Sequence, residues 1–319
     1  MKNTRIITII CWAISALALL GLAVWLIVGG LFNFGFGLDF IGVGTFEPVG
    51  THSVSADNID SLSIDWTSGR IYVGTHSGSE IQITEFARRD LRDREELSLN
   101  TDDGTLSIHF TERRQGISFG FNNLTKQLEV LIPDTLGETF DRFHVNTVSG
   151  RVEVRNIQAD DFNVGTVSGR IELFDITSSN LSASTTSGRI DVLNVQADEI
   201  RLHTVSGRIE AWDTQAESLR TNTTSGRHEL SGSFGYVNAR STSGRIEITS
   251  AIVPESLSAR TASGRISVTV PNEGAISVQY STTSGSFTSQ MPVTTHGGTA
   301  AQFNLSTTSG RIEIFELRG

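Results

Sequence analysis

The tripeptide Ser-Gly-Arg, or its variant Ser-Gly-Ser, begins at Ser149, Ser168, Ser187, Ser206, Ser225, Ser243, Ser263, Ser284 and Ser309. The first four steps are 19 residues each, followed by 18, 20, 21 and 25. A fixed period of this length means that one supersecondary unit is copied along the chain, and it constrains the fold more than any composition figure. Each unit alternates with period two, the signature of strands. After the turn come Arg151-Val152-Glu153-Val154, Arg170-Ile171-Glu172-Leu173, Arg189-Ile190-Asp191-Val192 and Arg208-Ile209-Glu210-Ala211, with the same pattern at Arg245 and Arg311. Before the turn come Phe143, Val145, Thr147, then Phe162, Val164, Thr166, then Leu181, Ala183, Thr185, and so on, with inward side chains that shrink toward the corner.

Two short strands and two turns use up the 19 residues and leave no room for a crossover helix. Each unit has only a thin apolar row to bury, so it must stack on its neighbours. The fold expected is all-β: a parallel β-solenoid of about 19 residues per coil, its coils about 4.8 Å apart, preceded by one N-terminal transmembrane helix. A β-sandwich of hairpins would need turns every 8 to 12 residues without a fixed period, which the exact repeats disfavour. Handedness is left open. The corner glycines Gly150, Gly169, Gly188, Gly207, Gly226, Gly244, Gly264, Gly285 and Gly310 are expected to occupy backbone regions closed to residues with a Cβ.

From residue 6 to residue 30 there is no charge, and residues 6–28 are almost wholly apolar, with Trp12 and Trp25 toward the two ends. That length spans a hydrocarbon core of about 30 Å. It is too long for the apolar region of a cleaved signal, so an uncleaved anchor is expected. Lys2 and Arg5 precede it, and no basic residue follows before Arg70, which keeps the amino terminus in the cytoplasm and the bulk of the chain extracytoplasmic. Removing those two cations takes the net charge of -10 to -12 outside. The expected division is a cytoplasmic tail (1–5), the membrane helix (6–28), a Gly/Phe-rich juxtamembrane linker (29–50), an irregular β region starting the solenoid (51–136) and the regular repeats (137–319).

Little here points to catalysis. The single cysteine, Cys11, excludes an intramolecular disulfide and a Cys-based zinc site. No cofactor or metal site is expected. The acidic balance excludes a nucleic-acid partner. No two of the seven histidines have the spacing of a helical zinc motif, and His228, which replaces the inward Ile of its coil, reads as a structural core residue. The serines at the corners recur too often to be nucleophiles, and no G-x-S-x-G elbow occurs. Glu153, Glu172, Asp191, Glu210, Glu229, Glu247 and Glu313 share one face, each two residues after an arginine. A catalytic acid pair is a local exception to a repeat, whereas this is the repeat itself.

The arginine–glutamate array is the extended surface feature. Only Lys2 and Lys126 are lysines, so 23 of the 25 basic residues are arginine, and nine of those directly follow a Ser-Gly corner. As exposed pairs they would fix register and solubility more than stability, at about 0 to 1 kcal/mol each. As a row of guanidinium forks, Arg151, Arg170, Arg189, Arg208 and Arg245 form a possible binding ladder for anionic polymers.

Asp65-Trp66-Thr67-Ser68-Gly69-Arg70-Ile71, the run at 128–133 (LEVLIP) and the repeated Thr-Val-Ser-Gly-Arg-Ile-Glu at Thr166 and Thr204 resemble the bacterial membrane-anchored β-strand-repeat "putative adhesin" domain family of unknown function. The resemblance covers roughly residues 50–319. It implies an envelope protein with no assigned catalytic residues, and some relatives are linked to envelope stress. Many members carry Asp after the Ser-Gly corner where this chain carries Arg. The function expected is a non-catalytic, adhesin-like binding or scaffold module of the cell envelope, with a polysaccharide-acting β-helix enzyme or a self-assembling scaffold as alternatives. The partners expected are the membrane, a cell-wall polymer or envelope protein, and a second copy through the C-terminal end, where the strand at 311–316 would lie uncapped.

Overall fold

Strict alternation of inward and outward side chains lets one coil lay its apolar row directly on the next. The computed structural model describes residues 45–92, 95–110, 125–134, 140–294 and 301–317. The expected membrane helix at 6–28 and most of the linker lie outside these residues; among the described residues no helix is long and apolar enough to cross a membrane. The strands are β1 (Glu47–Ser55), β2 (Ser61–His76), β3 (Glu80–Ala87), β4 (Ser98–Asp102), β5 (Thr105–His109), β6 (Gln127–Pro133), β7 (Phe140–Ser187), β8 (Ile190–Ser206), β9 (Ile209–Ser225), β10 (His228–Ser243), β11 (Ile246–Ser250), β12 (Ser256–Ser263), β13 (Ile266–Val270), β14 (Ile276–Ser289) and β15 (Ala301–Glu316). The fold is all-β and solenoid-like. β7 runs through its corners without a break, so it holds more than one coil.

Parallel pairing at the period of the repeat confirms the stacking. Ile171 pairs with Ile190 and Ile190 with Ile209, each 19 residues on, and the offset is kept to Ser187, Ser206 and Ser225. The core is therefore a set of columns. One holds Ile71, Val152, Ile171, Ile190, Ile209, His228, Ile246, Ile266 and Ile312, all of them buried. Another runs from Leu106 and Leu62 to Phe143 and Phe162, whose rings stack at 4.6 Å, and continues through Leu181, Ile200 and Leu219. Near the corner the inward position is threonine: Thr147, Thr166, Thr185, Thr204, Thr223, Thr261 and Thr307 are buried. Thr204, Thr261 and Thr307 donate to the carbonyl of the corner glycine one coil away, at 3.2 to 3.4 Å.

A single asparagine or aspartate gives each regular coil its second corner. Asn156, Asp175, Asn194 and Asp213, spaced by 19, have φ of 56°, 57°, 53° and 49°, the left-handed region that asparagine and aspartate tolerate best among residues with a side chain. The 18-residue step arises here. Leu230 pairs with Ala211 and Gly232 with Thr214, so β10 has one residue where β9 has two, and the coil loses its left-handed position.

The ends depart from sequential stacking. At the start, β2 lies inside, between β7 and the pair β5 and β6; β6 then pairs antiparallel with β3, β3 with β1, and β5 with β4. At the other end, β15 pairs with β12 and β13 on one side and with β14 on the other. This corrects the expectation that 311–316 is the open end: the last strand is an inner one and β14 is the outer one. The 25-residue step accompanies this exchange, since β15 follows β14 in sequence but stacks on β12 and β13 ahead of it. The end is not bare either. Tyr280 and Phe287 of β14 stack on each other at 4.1 Å over the positions of Leu305 and Ile312, and Thr294 bridges to Ser277 along the outer edge.

Candidate functional site

The columns that face outward after the Ser-Gly corner begin with the repeat arginines. Arg70 bonds Glu153 of the next coil at 2.7 Å, Arg151 bonds Glu172, Arg170 reaches Asp191 at 3.8 Å, Arg189 bonds Glu210, and Arg265 reaches Glu313 at 3.5 Å. Each of Arg151, Arg170, Arg189, Arg208, Arg227, Arg245 and Arg311 also pairs with the carboxylate two residues on in its own strand. The ladder is a zipper in which the arginines lie over the acids. The Glu153, Glu172 and Glu210 side chains are 6%, 8% and 9% exposed, against 44%, 46% and 46% for Arg151, Arg170 and Arg208. The pairs are half-buried, and the acids are not the exposed face that their outward parity predicts, because guanidinium groups from two coils fold over them.

Burial works against the charge on Glu153, yet hydrogen bonds from Arg155 and Arg70 outweigh it and hold its carboxyl below the usual range. Glu210 is the same case, under Arg208 and Arg189. For Asp191 burial prevails over the hydrogen bond from Arg189 and its carboxyl is pushed up, whereas for Arg189 burial is outweighed by Asp191 and Glu210, which hold it above its ordinary value. The direct contact favours Asp191 as a carboxylate at neutral pH.

The corner glycines form a column of their own. A Cβ on Gly169, Gly188 or Gly207 would lie 1.7, 1.7 or 1.6 Å from the carbonyl oxygen of the corner glycine one coil before it. Gly150, Gly226, Gly244, Gly264, Gly285 and Gly310 meet the same obstacle at 1.7 to 2.0 Å. The reason for glycine is thus close backbone approach, and at most of these positions not an unusual φ.

Three features lie outside the repeat elements named above. Beside the acids runs an outward column of Arg155, Phe174, Leu193 and Trp212, with Arg155 over the Phe174 ring at 3.9 Å and Leu193 and Trp212 exposed. The spacing of 19 was the available signal. A second is Lys126, which is fully buried at the start of the stack, bonded to Glu85, with Nζ 3.3 Å from the Phe110 ring centre and 5.1 Å from that of Trp66. Burial pulls its pKa down, and Glu85 opposes that. The third is the polarity of the face before the corner, where arginines lie outside the zipper. His228 is fully buried, with Nδ1 2.9 Å from Thr221 Oγ1, and burial pulls its pKa down to about 4.

The grooves on the surface are shallow. One of about 490 Å³ follows Gln158, Thr177, Gln196 and Gln215 with Asp160, Asp198 and Glu217 beside them.

The Toastrack DUF4097 family model matches residues 59–314. The chain belongs to that family. Its Toastrack fold recurs in a solved "putative adhesin" from Parabacteroides distasonis ATCC 8503, 15% identical, covering 85% of this chain and 98% of that one, with a TM-score of 0.51. A "putative lipid binding protein" of the same strain is also 15% identical, with the same coverage and a TM-score of 0.49. A "putative adhesin" from Parabacteroides merdae ATCC 43184 is 13% identical, covers 87% of this chain and 98% of that one, and has a TM-score of 0.46. At these identities the Toastrack likeness is one of fold. No curated protein matches the chain in sequence.

Proposed function

We propose that this Toastrack chain is a non-catalytic binding and scaffold module, held by its N-terminal apolar segment on the outer side of a bacterial envelope membrane. The observation that carries the reading is the in-register stack itself, which repeats each outward side chain along the coil axis and offers a long surface in place of an enclosed pocket. The name of the Parabacteroides distasonis fold relative points the same way. Every acid of the repeat column is engaged by arginine, which leaves none of them as a free acid–base partner for sugar-bond cleavage. The same occupancy favours the ladder at Arg151, Arg170, Arg189, Arg208 and Arg245 as a register device over a ligand array.

Protease added to intact spheroplasts tests this. The expected result is removal of the solenoid with a short apolar fragment left in the membrane, together with retention of the full-length chain on isolated envelope material. A solenoid protected until lysis, or a chain found wholly in the soluble fraction, overturns the placement. A role in envelope stress predicts a rise in the protein's abundance when the envelope is damaged.

A further inference from the structure

The outward face before the Ser-Gly corner differs from the zipper in one respect: its arginines outnumber its acids locally. Register places Arg201 beside Arg220, and Arg240 beside Arg260, each pair about 4.8 Å apart in adjacent coils. Arg240 pairs with Asn222, two residues along from Arg220, so the four side chains make a staircase over four successive coils. All four are exposed. Glu199 bonds both Arg201 and Arg220. Arg240 bonds the Asn238 amide oxygen at 3.1 Å, and neither it nor Arg260 has a carboxylate partner among the described residues. The other acids near it are Asp161, which lines a neighbouring groove with Arg142 and Arg201, Glu255, which is held by the Tyr236 hydroxyl, and Glu217 and Asp198. A groove of about 510 Å³ runs between Arg201, Arg220 and Arg240, floored by Leu202 and Thr221 and edged by His203, Asn222 and Asn238.

Two neighbouring guanidinium groups repel, and in the zipper interleaved acids from the same or the adjacent coil offset the repulsion. Here four cations face one directly bonded acid in a chain whose net charge is -10. From this we infer that the staircase is a binding site for phosphate groups of a polyanion, with Arg240 and Arg260 as its clamp. The chemistry selects phosphate over carboxylate. One guanidinium fork satisfies both oxygens of a carboxylate, whereas a tetrahedral phosphate has oxygens for two forks set side by side. Repetition of cations at coil spacing further favours a ligand that carries several phosphates. The inference rests on the binding-module reading but uses a face that the zipper does not.

The test is fluorescence anisotropy of the full-length chain in detergent with labelled short-chain inorganic polyphosphate. Arg240→Gln with Arg260→Gln is expected to weaken binding at least tenfold. Arg170→Gln with Arg189→Gln, which removes the same charge from the zipper, is expected to weaken it less than threefold. Arg240→Lys with Arg260→Lys keeps the charge, removes the forks and loses most of the affinity; it also serves if the glutamine pair fails to fold. Glycerol phosphate, with the single phosphate of a lipid headgroup, competes at higher concentration than polyphosphate, and polyglutamate competes weakly. Absence of polyphosphate binding, equal losses in the two glutamine pairs, or competition by polyglutamate at matched charge overturns the site. The spheroplast result is independent of all three, so failure here leaves the placement of the module standing.

Discussion

Each regular coil turns twice, by opposite means. At the Ser-Gly corner the backbones of successive coils come so close that a Cβ on Gly207 would sit 1.6 Å from the Gly188 carbonyl oxygen. At the other corner Asn194 bends the chain with φ of 53° and keeps its side chain, whose amide donates to Asp175 at 2.6 Å. The first corner is set by contact between coils and must be the same in all of them. The second is set within each coil and tolerates change: Asn156, Asp175, Asn194 and Asp213 alternate amide and acid, which keeps carboxylates out of adjacent coils. The coil of β10 drops the position altogether.

Breaking the first corner should therefore cost most. Gly207→Ala cannot be relieved by a rotamer change, since the obstacle is backbone. A loss of about 4 kcal/mol or more is expected in denaturant unfolding, large enough to leave little folded protein. An unchanged midpoint would show that the coils separate easily there and that the contrast between the corners is wrong.

The coil of β10 sharpens the comparison from a second side, since it is exceptional in its core as well. His228 stands in the isoleucine column, compensated by Thr221 seven residues before it across the corner. The buried ring has a pKa of about 4 against 6.5 in the unfolded chain, so the unfolded chain binds the proton first. Stability is then full above about pH 6.5 and falls as the pH drops toward 4, by about 3 kcal/mol in total. His228→Ile, which restores the column, is expected to flatten the pH dependence of the unfolding free energy in this window. A slope unchanged by the substitution would mean that other groups carry it.

How far the residues themselves announced this structure depends on whether the information was local. Alternation, the inward row and the glycine corner are contained in one unit, and the period needs only that unit set beside its copies. The burial of Glu153 and Glu172 was not legible, because it depends on Arg70 and Arg151 reaching in from the preceding coil. Nor was the exchange of β14 and β15, whose trace is the 25-residue step but whose direction requires knowing which strand fills the skipped coil. The second corner was legible and passed over: Asn or Asp at every nineteenth position is the mark of a left-handed turn. The staircase at Arg201, Arg220, Arg240 and Arg260 spans only four coils and slips by two residues between Arg220 and Arg240, so it does not stand out from one unit.

At the second corner a smaller effect is expected. Asn194→Ala places an ordinary side chain at positive φ and removes the bond to Asp175, for a loss of about 1 to 2 kcal/mol. Asn194→Gly accepts the φ and should fall well below that. If both substitutions cost as much as Gly207→Ala, the two corners share one constraint and the distinction between them fails.

The smallest effect belongs to the zipper that runs between the corners. Arg189→Gln removes the partner of Asp191 and Glu210, yet Arg189 is 37% exposed and water can enter to solvate what it leaves. A loss of about 1 kcal/mol is expected, and it should shrink in molar salt, where the exposed part of the attraction is screened. The double change with Glu210→Gln should cost less than the two single changes summed, because Arg189 and Glu210 then leave together and only Asp191 loses its arginine. Strict additivity would mean that Arg189 and Glu210 act independently. The zipper would then be a row of unrelated surface charges, and the register of the coils would rest on the glycine corner alone.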